Sequence, residues 1–243
     1  MKVIACYSCK GGVGKSTLAA NLAWAAATIS ARRTLLWDLD PQGGGGFLLG
    51  VERQRGHHAT RLFEQATPLR AGVVETAFPL LDVLPADPSL RAADRVFERL
   101  GKRRRLAKLT ASLGEWYDRV VLDCPPVINA LSDQVIRAAD VIIVPLSASP
   151  LARRALDDVL DDLRRNHGQH APVLPVFAMF DARRRLHLEA RAAQPDWPVI
   201  PMASVVEQMG VHHRPVGAFA PRSPAADAVR LLWTGIERRL AEG

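Results

Sequence analysis

Cysteine is scarce in this chain of 243 residues. Only Cys6, Cys9 and Cys124 occur, an odd and sparse set that builds no disulfide framework and suits a reducing cytoplasm. Cys6 and Cys9 form C-x-x-C, but no second Cys or His pair follows at zinc spacing, so they read as small residues flanking a glycine loop. Long hydrophobic runs are missing as well. The apolar stretch at the start is cut short by Lys10 and glycines, too brief for a signal-peptide core or a membrane span, and secretion is not expected. No internal repeat, low-complexity tract or Ser/Gly linker divides the chain, and 48% hydrophobic composition is enough for one core, so a single domain over residues 1–243 is expected. Acidic residues are outnumbered, 25 against 32 Lys and Arg, for a formal net charge of +7. A basic surface attracts nucleic acid or anionic lipid without telling which.

What is present is an alternation of short apolar runs with helical stretches, the pattern of parallel strands joined by crossover helices. Strands are expected at residues 3–7, 34–37, 83–85, 119–123, 141–145, 173–180 and 199–201. Helices are expected at 16–29, at 88–113 with an interruption at Gly101, at 151–167 and at 225–240. The third of these presents Leu156, Val159, Leu160 and Leu163 on one face, and the last presents Val229, Leu232, Trp233, Ile236 and Leu240. The glycine run at 43–46, just after a carboxylate-ended strand, reads as a mobile loop. The fold class is therefore α/β, a doubly wound, mainly parallel sheet flanked by helices.

The first strand feeds Lys10-Gly11-Gly12-Val13-Gly14-Lys15-Ser16-Thr17 and then a helix, the context in which a glycine loop becomes a phosphate cradle. Small residues let backbone N–H groups turn toward phosphate oxygens, and the helix points its positive end at the same place. Lys15 neutralises β/γ-phosphate charge, and the Ser16 hydroxyl is positioned for Mg²⁺. ATP and Mg²⁺ are the expected ligands. The tandem histidines His57-His58 and His212-His213 lack companions of ligand type and read as solvated loop residues.

Lys10, a second lysine before the glycines, makes the loop resemble the deviant Walker A motif, K-G-G-x-G-K-S/T, of the ParA/MinD family of P-loop ATPases. The resemblance continues in Asp38-Leu39-Asp40-Pro41-Gln42-Gly43 and in Val120-Val121-Leu122-Asp123-Cys124-Pro125-Pro126, which is similar to the family's Walker B segment. It implies a P-loop NTPase fold of the SIMIBI type and weak ATP hydrolysis inside an ATP-sandwiched homodimer. Lys10 then acts on the partner's nucleotide, Asp40 orients the attacking water, and Asp38 and Asp123 join Ser16 at the magnesium. Pro201 and Met202 fall where the family holds the base, although Met202-Ala203 replaces the Arg-Asn that many ParA-like members carry there.

Family members position cargo on the nucleoid or on the membrane. Here the ParA-like branch is the expectation: non-specific DNA as the surface, a ParB-like or other adaptor stimulating hydrolysis, and a cytoplasmic, nucleoid-associated protein. The alternative is a MinD-like membrane-associated ATPase, disfavoured because the apolar stripe of the last helix reads as docked on the sheet. Candidate DNA contacts are Arg183, Arg184, Arg185, Arg214 and Arg222, with Lys102 to Arg105 as a weaker cluster.

Overall fold

Apolar runs that end in carboxylates become neighbouring central strands. A computed structural model describes residues 1–52, 59–65, 68–101, 104–168 and 170–242. Its first third runs β1 (Lys2–Cys6), α1 (Lys15–Thr28), β2 (Thr34–Asp38), α2 (Gly44–Leu48), α3 (Ala59–Phe63), β3 (Val74–Glu75) and β4 (Leu81–Leu84). The middle comprises α4 (Ala93–Leu100), α5 (Arg105–Ala111), β5 (Arg119–Asp123), α6 (Ala130–Ala138), β6 (Val141–Leu146) and α7 (Pro150–Asn166). The last part comprises β7 (Val173–Phe180), α8 (Arg185–Ala193), β8 (Val199–Pro201), α9 (Ser204–Glu207), α10 (Met209–His212), α11 (Val216–Phe219) and α12 (Pro224–Glu242).

The strands form one sheet in the order β3-β4-β2-β5-β1-β6-β7-β8, parallel throughout except for the antiparallel β3 edge. Central strands are buried on both faces, as crossover connections require. One face is covered by α1 and α12, the other by α3 to α7, giving the two-sided core of a doubly wound fold. The helix α1 is alanine-rich and buried nearly all round, which lets its backbone lie close to both the sheet and α12. The stripe of α12, including Val229, Trp233 and Ile236, is buried against this core, as the sequence led one to expect.

Two expectations change. The stretch 88–113 is a 3-10 turn followed by two helices, because Gly101 closes α4 at φ 57, a left-handed backbone that glycine takes without a steric penalty. The glycine run at 43–46 opens a short helix rather than a loop. Gly43 caps α2, and Gly45 and Gly46 are buried inside it.

Candidate functional site

Parallel register sets the carboxyl ends of β1, β2 and β5 side by side: Cys6 lies opposite Asp123, and Asp123 opposite Asp38. From β1 the chain enters the glycine loop, where Gly12 and Gly14 take φ 69 and φ 84. Gly14 caps α1 without a side-chain hydrogen bond, so the first N–H groups of the helix are left for an anion. Lys15 is buried, and its Nζ donates to the Lys10 carbonyl at 3.0 Å, bracing the loop across its own turn. Burial pulls the pKa of this ammonium down from its ordinary value, while the carboxylates of Asp123 and Asp40 work to hold the proton on.

Beneath the loop lie two buried carboxylates. Asp38 Oδ1 accepts from the Asp40 N–H and Oδ2 from the Gly46 N–H, both at 3.1 Å. Burial nevertheless pushes its pKa up to about 7, with those N–H groups pulling the other way. Asp123 is also raised well above the usual carboxylate range, by burial first and then by the neighbouring Asp38 charge. The Ser16 hydroxyl opposes this without completing a hydrogen bond. Neither Asp123 oxygen has a partner among the described residues. An unpaired buried carboxylate is costly, and a cation beside Ser16 is the group that meets its need. Among the described residues no three His, Cys, Asp or Glu side chains converge on a metal position. That suits Mg²⁺, which keeps waters and takes phosphate oxygens in place of an all-protein cage. Ser16, Asp38 and Asp123 therefore fit the ion chemically.

The glycines of α2 now have a reason. A Cβ on Gly44 would stand 2.9 Å from Ser16 Oγ, and one on Gly45 would stand 3.0 Å from Asp123 Oδ2 and 3.2 Å from Asp38 Oδ2. The helix backbone lies directly on the Ser16, Asp38 and Asp123 side chains. Gly45→Ala is expected to cost about 1–3 kcal/mol by overpacking, and to shrink the thermal stabilisation that Mg²⁺ adds to the ADP complex. Melting curves with and without the metal check this, and an unaltered magnesium increment would refute the close-packing argument.

Above the carboxylates opens a cavity of about 530 Å³. Gly11, Gly12, Gly14, Lys15, Ser16, Thr17 and Asp40 line its polar end, and Met179, Ile200, Pro201, Met202, Ala203 and Val206 its apolar end. The volume and the division into an anion-binding floor and an apolar slot suit a nucleotide. Pro201 and Met202 are thus brought to the site. Asn21 and Val216 also line it and, like Val206, were not singled out from the sequence; a lone Asn inside the alanine helix was the signal available for the first. Val13 turns away, buried in a crevice against α7 and outside the cavity lining. Lys10 flanks the same crevice, outside the cavity lining, and has no ion pair among the described residues.

The candidate DNA arginines divide. Arg183 grips Asp181 with two hydrogen bonds of 2.9 Å, and Arg185 is paired with Glu189. Arg214 lies over the Phe78 ring, 6.0 Å from its centroid. Arg184 and Arg222 are exposed, and neither guanidinium is paired with a described residue. Of the weaker basic cluster, Lys102 and Arg103 lie outside the described residues, as do His57 and His58, and Arg105 is buried with its Nε on the Phe63 carbonyl. His212 and His213 pack against aromatic rings.

Loop, carboxylate pair and sheet order together define a P-loop nucleotide-binding protein. A family model described as an AAA domain, AAA_31, matches residues 1–174. The chain is 33% identical to the chromosome-partitioning ATPase Soj of Thermus thermophilus across 98% of its own length and 96% of that protein's. To the chromosome partitioning protein ParA of Caulobacter vibrioides it is 34% identical, over 76% of this chain and 72% of the relative. Among solved structures, ATP-bound McdA of Cyanothece superposes with a TM-score of 0.85 at 21% identity, covering 99% of this chain and 96% of that one. Cobyrinic acid a,c-diamide synthase of Mycobacterium smegmatis, with an ATP analogue and magnesium, gives 0.80 at 28% identity, covering 98% and 94%. The chain belongs to the AAA_31 family and, within it, to the ParA/MinD group of P-loop ATPases.

Proposed function

We propose that this chain binds Mg-ATP in the cavity, pairs with a second copy around the nucleotide, hydrolyses ATP, and in the paired state holds non-specific DNA to segregate or position a cargo. The observation that carries the reading is the partnerless Asp123 carboxylate beside Asp38 and Ser16, directly under the phosphate loop. Loop amides and Lys15 hold the phosphates. Mg²⁺, when bound, supplies charge that draws electron density from the β- and γ-phosphate oxygens. Asp40 faces the cavity and orients the attacking water, while Lys10, turned outside its own cavity, serves the nucleotide of the partner copy. An adaptor of the ParB kind is expected to speed the slow intrinsic step.

DNA is favoured over a membrane by two features. The apolar stripe of α12 is occupied by the core and so is not available as an amphipathic membrane anchor. Arg184 and Arg222, meanwhile, are free to contact phosphates. Co-sedimentation with plasmid DNA or anionic liposomes, with Mg-ATP and graded salt, tests the choice. The expected result is ATP-dependent pelleting with DNA alone. Replacing Arg184 and Arg222 together by alanine should weaken it about tenfold at moderate salt and flatten the salt dependence by about two phosphate contacts. Pelleting with liposomes but not with DNA would move the protein to the membrane branch.

A further inference from the structure

The segment from Met202 to Val216 forms one wall of the apolar slot and is pinned to the rest of the molecule at two ends. At the base end the pin is Asn21 of α1, itself buried. Its Oδ1 accepts from the Val216 N–H at 3.0 Å and its Nδ2 lies 3.1 Å from Met209 Sδ. The Trp24 ring, one turn further along α1, lies where a side chain on Gly217 would have to stand, with 2.3 Å left for a Cβ.

At the metal end the pin is His213. Its Nδ1 lies 2.9 Å from the Phe47 carbonyl, and since a carbonyl only accepts, Nδ1 carries the proton. The two rings meet edge to face with centroids 4.5 Å apart, and Phe47 also rests on Gly210. To make these contacts His213 takes φ 50, a left-handed conformation that is unfavourable for a residue with a Cβ. Phe47 belongs to α2, whose Gly46 N–H holds Asp38 and whose Gly45 lies against Asp123.

From this continuous set of contacts we infer that His213 is a positioning residue: it ties the helix over the magnesium carboxylates to the wall of the base slot, so that base and metal bind cooperatively. The inference rests on the Mg-nucleotide reading above. A base that fills the slot steadies the wall, the wall steadies α2 through His213, and α2 sets Asp38 for the ion. Linkage requires the reverse influence to be equal.

The test uses binding, with no turnover involved. Calorimetry gives the factor by which Mg²⁺ tightens ADP, and the same factor for pyrophosphate, which has phosphates but no base. In the native protein the ADP factor should exceed the pyrophosphate factor. His213→Gly, which removes the side chain at a backbone angle glycine accepts, should erase that excess, a loss of about three- to tenfold. His213→Asn should restore it, because asparagine tolerates the same angle and offers an N–H to the Phe47 carbonyl. In the nucleotide-free protein, His213→Gly should also hasten hydrogen exchange within Gly44–Leu48 while β1 keeps its protection, which separates a lost tether from a lost fold. An excess that survives in His213→Gly, or that stays absent in His213→Asn, overturns the inference while leaving the nucleotide site intact. ADP binding that ignores Mg²⁺ in the native protein would sink the site reading itself and this inference with it.

Discussion

Lys15→Ala is expected to lower affinity for Mg-ATP by about a hundredfold or more, since it removes a desolvated ammonium from the phosphates it would pair with. Lys15 is only 6% exposed, so its charge is felt in a medium of low dielectric and is little screened by salt. The same change removes the 3.0 Å hydrogen bond to the Lys10 carbonyl. Lys15→Met, which keeps the stem and its packing, should lose nearly as much, assigning the deficit to charge rather than to a cavity. Titration with a fluorescent ATP analogue measures both variants. An affinity within threefold of native for Lys15→Met would remove the cradle from its central place.

The second large effect belongs to Asp40, and it should fall on turnover instead of binding. Its Oδ1 accepts the Gln42 N–H at 2.9 Å, and that local turn aims the remaining carboxylate surface into the cavity. Asp40→Ala is expected to cut phosphate release by about a hundred- to ten-thousandfold, the range typical of a positioned acid-base group, with ATP affinity close to native. Because hydrolysis ends the paired state in the proposed cycle, size-exclusion chromatography with ATP should show a dimer that persists. Asp40→Asn keeps an acceptor for Gln42 and should show the same slow release, which separates the chemistry from the turn. Phosphate release at the native rate in either variant would take the water-orienting role away from Asp40.

Much of this site was legible in the sequence because its signals are local. The glycine loop depends on a short stretch in which Gly12 and Gly14 take positive φ, and the aspartates at 38 and 123 terminate continuous apolar runs that read as buried parallel strands. Strands 119–123, 173–180 and 199–201 have the boundaries their flanking turn residues suggested. The helix at 151–167 was visible from its period, apart from one residue at each end.

What was not legible depends on partners distant in the chain. The helix α6 is announced only by a reciprocal cap, Ser132 N–H to Asn129 Oδ1 and Asn129 N–H to Ser132 Oγ, and its period was too short to notice unaided. The close seating of α2 follows from glycines packing on carboxylates contributed by two separate strands, so composition alone pointed to a loop where geometry places a helix. The wall of the apolar slot is held by Asn21, 195 residues from Val216 in the chain, and no periodicity reports such a bond. Likewise the pairing of Arg183 with Asp181 could not be told from a free cation by inspection of an arginine triplet.

The sheet's two margins are unusually small: β3 has two residues and β8 has three. Where β7 runs on beyond β8, Pro175 withholds a backbone donor. Strand margins are the usual template for unintended polymerisation, and these offer almost no ladder for another chain to extend. Copies held close together, as the proposed cycle on DNA would require, therefore find little free strand edge on one another from which to seed fibrils.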